Sequence, residues 1–321
     1  MIGYNKMLSK QYLPWIDVAK GIGIILVVLG HSMFPKHILI SGFHMPLFFI
    51  LAGITFSART NFTTFIFKKI QRILIPFFFW YILSYLLGLS NGPLWFLYTL
   101  FGSLVCIYVL VKYANLFCQS FIVLVTSLCI WGKYSFIDYL PADIVRILSG
   151  SIFIFIGYIY KSIISKANGI DECSSIKKNI VIGAITLSAM YTVSLLVGEK
   201  LGLYSDLRYL WLTMFRPYWI VVVFLTLCGS WATILWAKFF NNSMILRWLG
   251  MNSLVIMCVH YPICEFLNIY ISKLSNFDLL LYKLMYGIVE YILIFTVSII
   301  LVLICNRFIP KLSGGVLNNN N

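Results

Sequence analysis

Asp17, Lys20 and His31 are the first residues of this chain whose types and spacing suit chemistry. They stand in WIDVAKGIGIILVVLGHS, Trp15 to Ser32, around an apolar centre running from Ile22 to Leu29. Lys20 and His31 are separated by close to three turns of an α-helix, so both side chains fall on one face, about 16 Å apart along the axis. Asp17 lies one turn before Lys20, in reach of an ion pair. The stripe therefore offers a fixed cation at one end for holding an anion. At the other end it offers an imidazole, the side chain best suited to moving a proton near neutral pH. Two simpler readings compete: a lysine that snorkels to headgroups, and a histidine that sits in the membrane interface. The shared face favours function, since ionisable groups inside a membrane helix are costly. Gly21, Gly23 and Gly30 leave room on this helix for a close neighbour.

Three further places carry polar groups. His44, in GFHMPLFFILAG, is expected about one and a half turns inside the second helix, at the depth of His31 in the first. Pro46 is expected to kink that helix. His37, in the loop between them, reads as solvated. Lys68, Lys69 and Arg72, in FKKIQRILIP, form a basic cluster. It reads either as a positive anchor at the membrane surface or as a clamp for phosphate. His260, in VHYPI, precedes Pro262. Glu265 and Glu290 fall in apolar runs and must be paired, protonated or water-facing. They are candidates to orient a histidine or to make structural polar contacts. Trp95, in NGPLWFL, stands at the start of an apolar run, where aromatic-belt anchoring is one reading.

The elements that must position these residues are membrane helices. The 321-residue chain is 61% hydrophobic and only 11% charged, with a mean hydropathy of +0.94. A soluble chain carries about a quarter charged residues. Runs long enough to span a bilayer predict ten helices, roughly at 14–34, 39–58, 71–89, 94–111, 117–132, 145–162, 179–198, 217–237, 249–271 and 281–307. The fold class is all-α, a polytopic integral membrane bundle in one domain over residues 1–312, with a disordered tail at 313–321. The first apolar run lacks a small-residue cleavage site and reads as a retained helix.

With the N-terminus inside, Lys and Arg show a roughly two-to-one excess on the cytoplasmic side, which predicts N-in and C-in. The net charge of +14 then faces anionic lipid headgroups, and no soluble basic module is present to bind nucleic acid. The segment EKLGLYSDLRYLWLTMFRPYW is either a surface for a hydroxyl-rich ligand or an interfacial anchor. The eight cysteines form no CxxC pair and read as buried apolar side chains. Neither a metal site nor a disulfide framework is expected.

On these motifs the chain resembles the membrane acyltransferase-3 family, in particular the fucose 4-O-acetyltransferase-like and exopolysaccharide O-acetyltransferase members without a soluble domain. The resemblance rests on Lys20 to His31 in DVAKGIGIILVVLGH, and on FHMPLFFILAGITFS, FKKIQRILIP, GPLWFLYTL and LGMNSLVIMCVHYPI, in that order. Two departures stand out: Lys20 occupies a place where many members have arginine, and the helix-3 motif begins with lysines, which lack the bidentate fork of arginine.

The resemblance implies a multi-pass protein of the bacterial inner membrane. Its reaction would transfer an acyl group from acetyl-CoA to a carbohydrate hydroxyl. The acceptor would be a surface polysaccharide or its lipid-linked precursor, and no cofactor would be permanently bound. Carried over by position, His31 is the catalytic residue, with Lys20 as the catalytic-site cation. Lys20, Lys68, Lys69 and Arg72 would hold the charged part of CoA. His44, Trp95 and His260 are candidates on the acceptor side. The competing class is a transporter or flippase of a polysaccharide precursor, which would make His260, Glu265 and Glu290 central. No two-half repeat favours it.

Overall fold

A computed structural model describes residues 13–32, 42–131, 139–167, 174–200, 219–271 and 280–309. All regular structure among them is helical. Helix α1 spans Pro14–His31, with its proline at the first position, where a missing N–H costs nothing. Helix α2 spans His44–Thr55. Helix α3 (Phe62–Lys69) runs through a π-helical turn, Ile70–Leu74, into α4 (Ile75–Leu86). A 3-10 turn at Gly92–Leu94 leads into α5 (Trp95–Tyr113). Then follow α6 (Leu116–Trp131), α7 (Ala142–Ala167), α8 (Ser174–Lys200) and α9 (Trp219–Phe239). The chain ends in α10 (Met244–Met251), α11 (Ser253–Ile271) and α12 (Leu280–Phe308).

Each predicted span coincides with helix over most of its described positions, with three differences in kind. Among the described residues, six helices are long and apolar enough to cross a membrane, or seven if α10 and α11 count as one span, while α2 and α6 are shorter apolar helices. The predicted helix at 249–271 is a pair bent by 76° at Asn252. Ser243 caps α10, its hydroxyl accepting from the Leu246 N–H. Asn252 turns its own amide onto the Trp248 carbonyl, satisfying the first helix's end. Finally, the third helix begins at Phe62 rather than residue 71, so the basic cluster lies inside it. Its N-terminal half is mostly polar or exposed, and so it carries little of the apolar signal that marks a span.

Helix α1 is central. It packs along α10 at its first half and touches α2, α9 and α11. Two glycine pairs set the closest crossings. A Cβ on Gly21 would run into the Leu246 carbonyl, and one on Gly250 into the Asp17 carbonyl. Likewise Gly53 of α2 faces the Ile154 carbonyl of α7, and Gly157 of α7 faces the Ile50 carbonyl of α2. Both crossings let backbones meet directly, the small-residue packing that membrane helices use where water supplies no driving force.

Candidate active site

Both ends of α1 carry polar machinery. At its start, Lys20 Nζ lies 3.0 Å from an Asp17 carboxylate oxygen, with Asp17 buried and Lys20 about one-third exposed. The expected pair is present, and the α1–α10 crossing at Gly21 holds it in place. A second cation sits nearby. The Lys238 ammonium lies 5.3 Å from the centre of the Trp15 ring and 5.6 Å from that of Tyr160. It also donates to the Tyr160 hydroxyl at 3.0 Å. Next along α7, Lys161 donates to the Phe56 carbonyl at 2.5 Å, closing the end of α2. Phe56 meets Phe65 at 5.9 Å, and the Lys69 ammonium lies 5.5 Å from the Phe65 ring. This line of contacts joins the foot of α1 to the basic helix. Lys20 and Lys69 therefore belong to the same end of the bundle. Lys68 and Arg72 stay exposed, and Arg72 sits within the π-helical turn.

At the other end, the imidazoles gather. His31 is the last residue of α1 and His44 the first of α2. The sequence places each of them deeper in its helix; in the structure they stand at the termini, and residues 33–41, including His37, lie outside those described. Pro46 falls in the first turn of α2, where no intrahelical N–H is needed. The ring of His31 is 5.2 Å from that of His260 and 5.4 Å, edge-on, from that of Tyr261. His44 is buried and close enough to His260 for their charges to interact. His260 has no exposed surface, and its Nδ1 lies 2.9 Å from the Ile256 carbonyl. A carbonyl can only accept, so Nδ1 carries the hydrogen. The other ring nitrogen, Nε2, has no hydrogen-bond partner among the described residues.

Around this cluster, Glu265 accepts the backbone N–H of Ser90 at 2.7 Å. The Tyr261 ring lies against Gly92, where a Cβ would come within 2.9 Å of a ring carbon. The loop before α5 is thus tied to α11. Three residues on, Trp95 opens α5, and the Arg146 guanidinium lies 5.5 Å from the centre of its ring. Arg146 pairs with Asp143 at 2.8 Å, and Tyr98 donates to Asp143 at 2.6 Å. Glu290 is fully buried, with the Cys264 sulfur 3.2 Å from one of its oxygens. A cavity of about 190 Å³ opens elsewhere, between α8 and α9, lined by Phe43, Tyr191, Thr233 and Trp236 among others, without Lys20 or His31.

The structure thus brings His31 and His44 around His260, and leaves Lys20 and Lys69 at the opposite end of α1 without a contact between them among those described. Tyr261, Cys264 and Lys238 were not singled out from sequence. A signal existed for Cys264: it follows His260 by four residues, one turn on the same helical face. The cysteines described are all free thiols, and no cluster of metal-ligating side chains occurs among the described residues. Most of the segment EKLGLYSDLRYLWLTMFRPYW lies outside the described residues.

An all-helical fold with several membrane-length helices, and a histidine cluster formed by the end of α1, the start of α2 and the middle of α11, defines a multi-pass membrane protein with a built polar site. The chain belongs to the acyltransferase-3 family, whose acyltransferase domain matches residues 13–307. No curated protein and no solved structure matches it significantly.

Proposed function

We propose that this protein is a carbohydrate O-acetyltransferase of the bacterial inner membrane, oriented with both termini in the cytoplasm. It would move an acetyl group from acetyl-CoA to a hydroxyl of a surface polysaccharide or its lipid-linked precursor. The observation that carries the reading is the His31–His260 ring pair at the end of the same helix that bears Lys20. An elongated donor suits that separation. Its phosphates rest among Lys20, Lys68, Lys69 and Arg72, and its thin pantetheine arm extends toward the imidazoles. Membership of an acyltransferase family supports this over the transport reading.

In the reaction, a ring nitrogen of His31 takes the proton from the acceptor hydroxyl as its oxygen attacks the thioester carbonyl. The tetrahedral oxyanion collapses by breaking the carbon–sulfur bond. The CoA thiolate leaves and takes back the proton from the imidazolium, so the histidine ends neutral. His260 and His44 flank the site where charge develops, and Trp95 stands at the neighbouring helix start as an acceptor platform.

The test is to incubate the purified protein with acetyl-CoA and a panel of monosaccharides and oligosaccharides, and to measure free thiol and acetylated sugar. Thiol release coupled to sugar acetylation, and lost in His31→Ala at normal protein level, is the expected result. Glycan flux into vesicles without acetyl-CoA, and without acetylated product, would establish the carrier instead.

A further inference from the structure

His31 ends α1, so its backbone carbonyl is among those that a helix terminus leaves without an intrahelical donor. Another helix supplies one. The Cys264 sulfur, on α11, lies 3.0 Å from the His31 carbonyl oxygen. The same sulfur lies 3.2 Å from a carboxyl oxygen of Glu290, on α12. Cys264 is buried and Glu290 has no exposed surface. A carboxyl group at such a depth is expensive in a membrane helix. Here it lies against a thiol that also meets the backbone of the imidazole-bearing residue. Cys264 also shares a face of α11 with His260, one turn away. That face therefore holds His31 twice, through the ring at His260 and through the backbone at Cys264.

We propose that Cys264 and Glu290 are positioning residues for His31, a proposal that rests on the acyl-transfer reading above for its kinetic consequence. The thiol pins the last turn of α1 against fraying. The single thiol hydrogen is shared between two acceptors, the His31 carbonyl and the Glu290 carboxyl oxygen, and the carboxyl on the far side fixes the rotamer, so that the sulfur stays over the carbonyl rather than swinging away. A histidine that must reach an acceptor hydroxyl at hydrogen-bond distance depends on that turn. Reacting groups displaced by about 1 Å lose up to roughly a hundredfold in rate. Neither Cys264 nor Glu290 touches substrate in this scheme, and no acyl group passes through the sulfur.

The variants are Cys264→Val, which removes the donor and adds one methyl group, Cys264→Ser, which restores a donor without added bulk, and Glu290→Gln, which keeps an acceptor oxygen. Two readouts are taken on detergent-purified full-length protein. One is amide hydrogen exchange in peptides covering the end of α1, and the other is kcat and KM for acetyl-CoA by thiol release. Cys264→Val is expected to speed exchange at the end of α1 and lower kcat about tenfold or more, with KM for acetyl-CoA within about twofold of wild type. Cys264→Ser and Glu290→Gln are expected to stay near wild type in both. Unchanged exchange in Cys264→Val overturns the proposal, whatever happens to rate. So does a Val variant whose exchange rises throughout the chain rather than at this turn, or a Ser variant that fails like Val. If the wild type transfers no acetyl group but the exchange pattern appears as described, the clamp stands and the acetyltransferase reading falls.

Discussion

The rings of His31 and His260 face one another across α1 and α11, with centroids 5.2 Å apart and planes inclined by 46°. These residues lie far apart in the chain, and one of them is sealed from solvent. The pair gives the half-buried His31 a rigid aromatic neighbour, while Tyr261 closes its edge at 5.4 Å. A proton-transferring group held in this way keeps its ring in one orientation through the reaction.

Replacing His31 with alanine should therefore remove the chemistry and spare the fold. Loss of a general base costs about a hundredfold or more in rate, whereas a half-buried terminal residue contributes little to packing. The check is thiol release from acetyl-CoA beside thermal unfolding in detergent. A variant with near-normal turnover would exclude His31 from proton transfer.

His260→Ala should behave in the opposite proportion. The side chain is completely enclosed and bonds its own helix at Ile256, so truncation leaves a cavity, worth roughly 2–4 kcal/mol of stability. A melting temperature equal to wild type would contradict the enclosed placement.

Lys20→Ala should raise KM for acetyl-CoA by roughly tenfold with kcat little changed, as expected when a charge-assisted contact to an anionic donor is lost. Lys20→Arg should retain most of the affinity, since it preserves the charge beside Asp17. A kcat defect at unchanged KM would place Lys20 in the chemical step instead.

The glycine crossings give a stability test free of any assumption about activity. Gly21→Ala and Gly250→Ala each push a methyl group into a backbone carbonyl of the facing helix, and each should cost about 1–3 kcal/mol. Because both act on one crossing, the double variant should cost less than the sum. Gly88→Ala offers a contrast. It has open space around it but a φ of 65°, so its cost of about 1 kcal/mol should be one of backbone conformation and should add independently. Denaturation midpoints of the four proteins decide this.

Lys161→Ala should destabilise the junction of α2 and α7 by about 1–3 kcal/mol, since it leaves the buried Phe56 carbonyl without its donor. Lys161→Arg, which can still reach, should lose less. Equal stability for Ala and Arg would mean that the contact contributes nothing.

Much of this arrangement is legible in the amino-acid order. The apolar run between Lys20 and His31 sets one helix, and its 3.6-residue period sets which groups share a face. Asp17 pairs with Lys20 because the two are three residues apart. What local pattern does not contain is which helices become neighbours. His260 meets His31, and Cys264 meets the α1 terminus, through contacts more than two hundred residues apart in the chain. The bend at Asn252 was concealed by continuous hydrophobicity on both sides, though Gly250 and Asn252 are turn-forming residues. Pro46 falls in the first turn of α2, a placement that local pattern did not reveal and where a proline has no bond to break.

The π-helical turn at Ile70–Leu74 has its own consequence for how this helix tolerates change. Such a turn accommodates one residue beyond the α-helical repeat, and deleting one would let the rod close into plain α-helix. Because the bulge takes up the extra residue locally, Trp80 and Ser84 would keep facing inward in the same relation to Lys68 and Lys69. A one-residue deletion is therefore tolerated at this turn, whereas the same deletion within an unbroken α-helix would swing everything beyond it by about 100°.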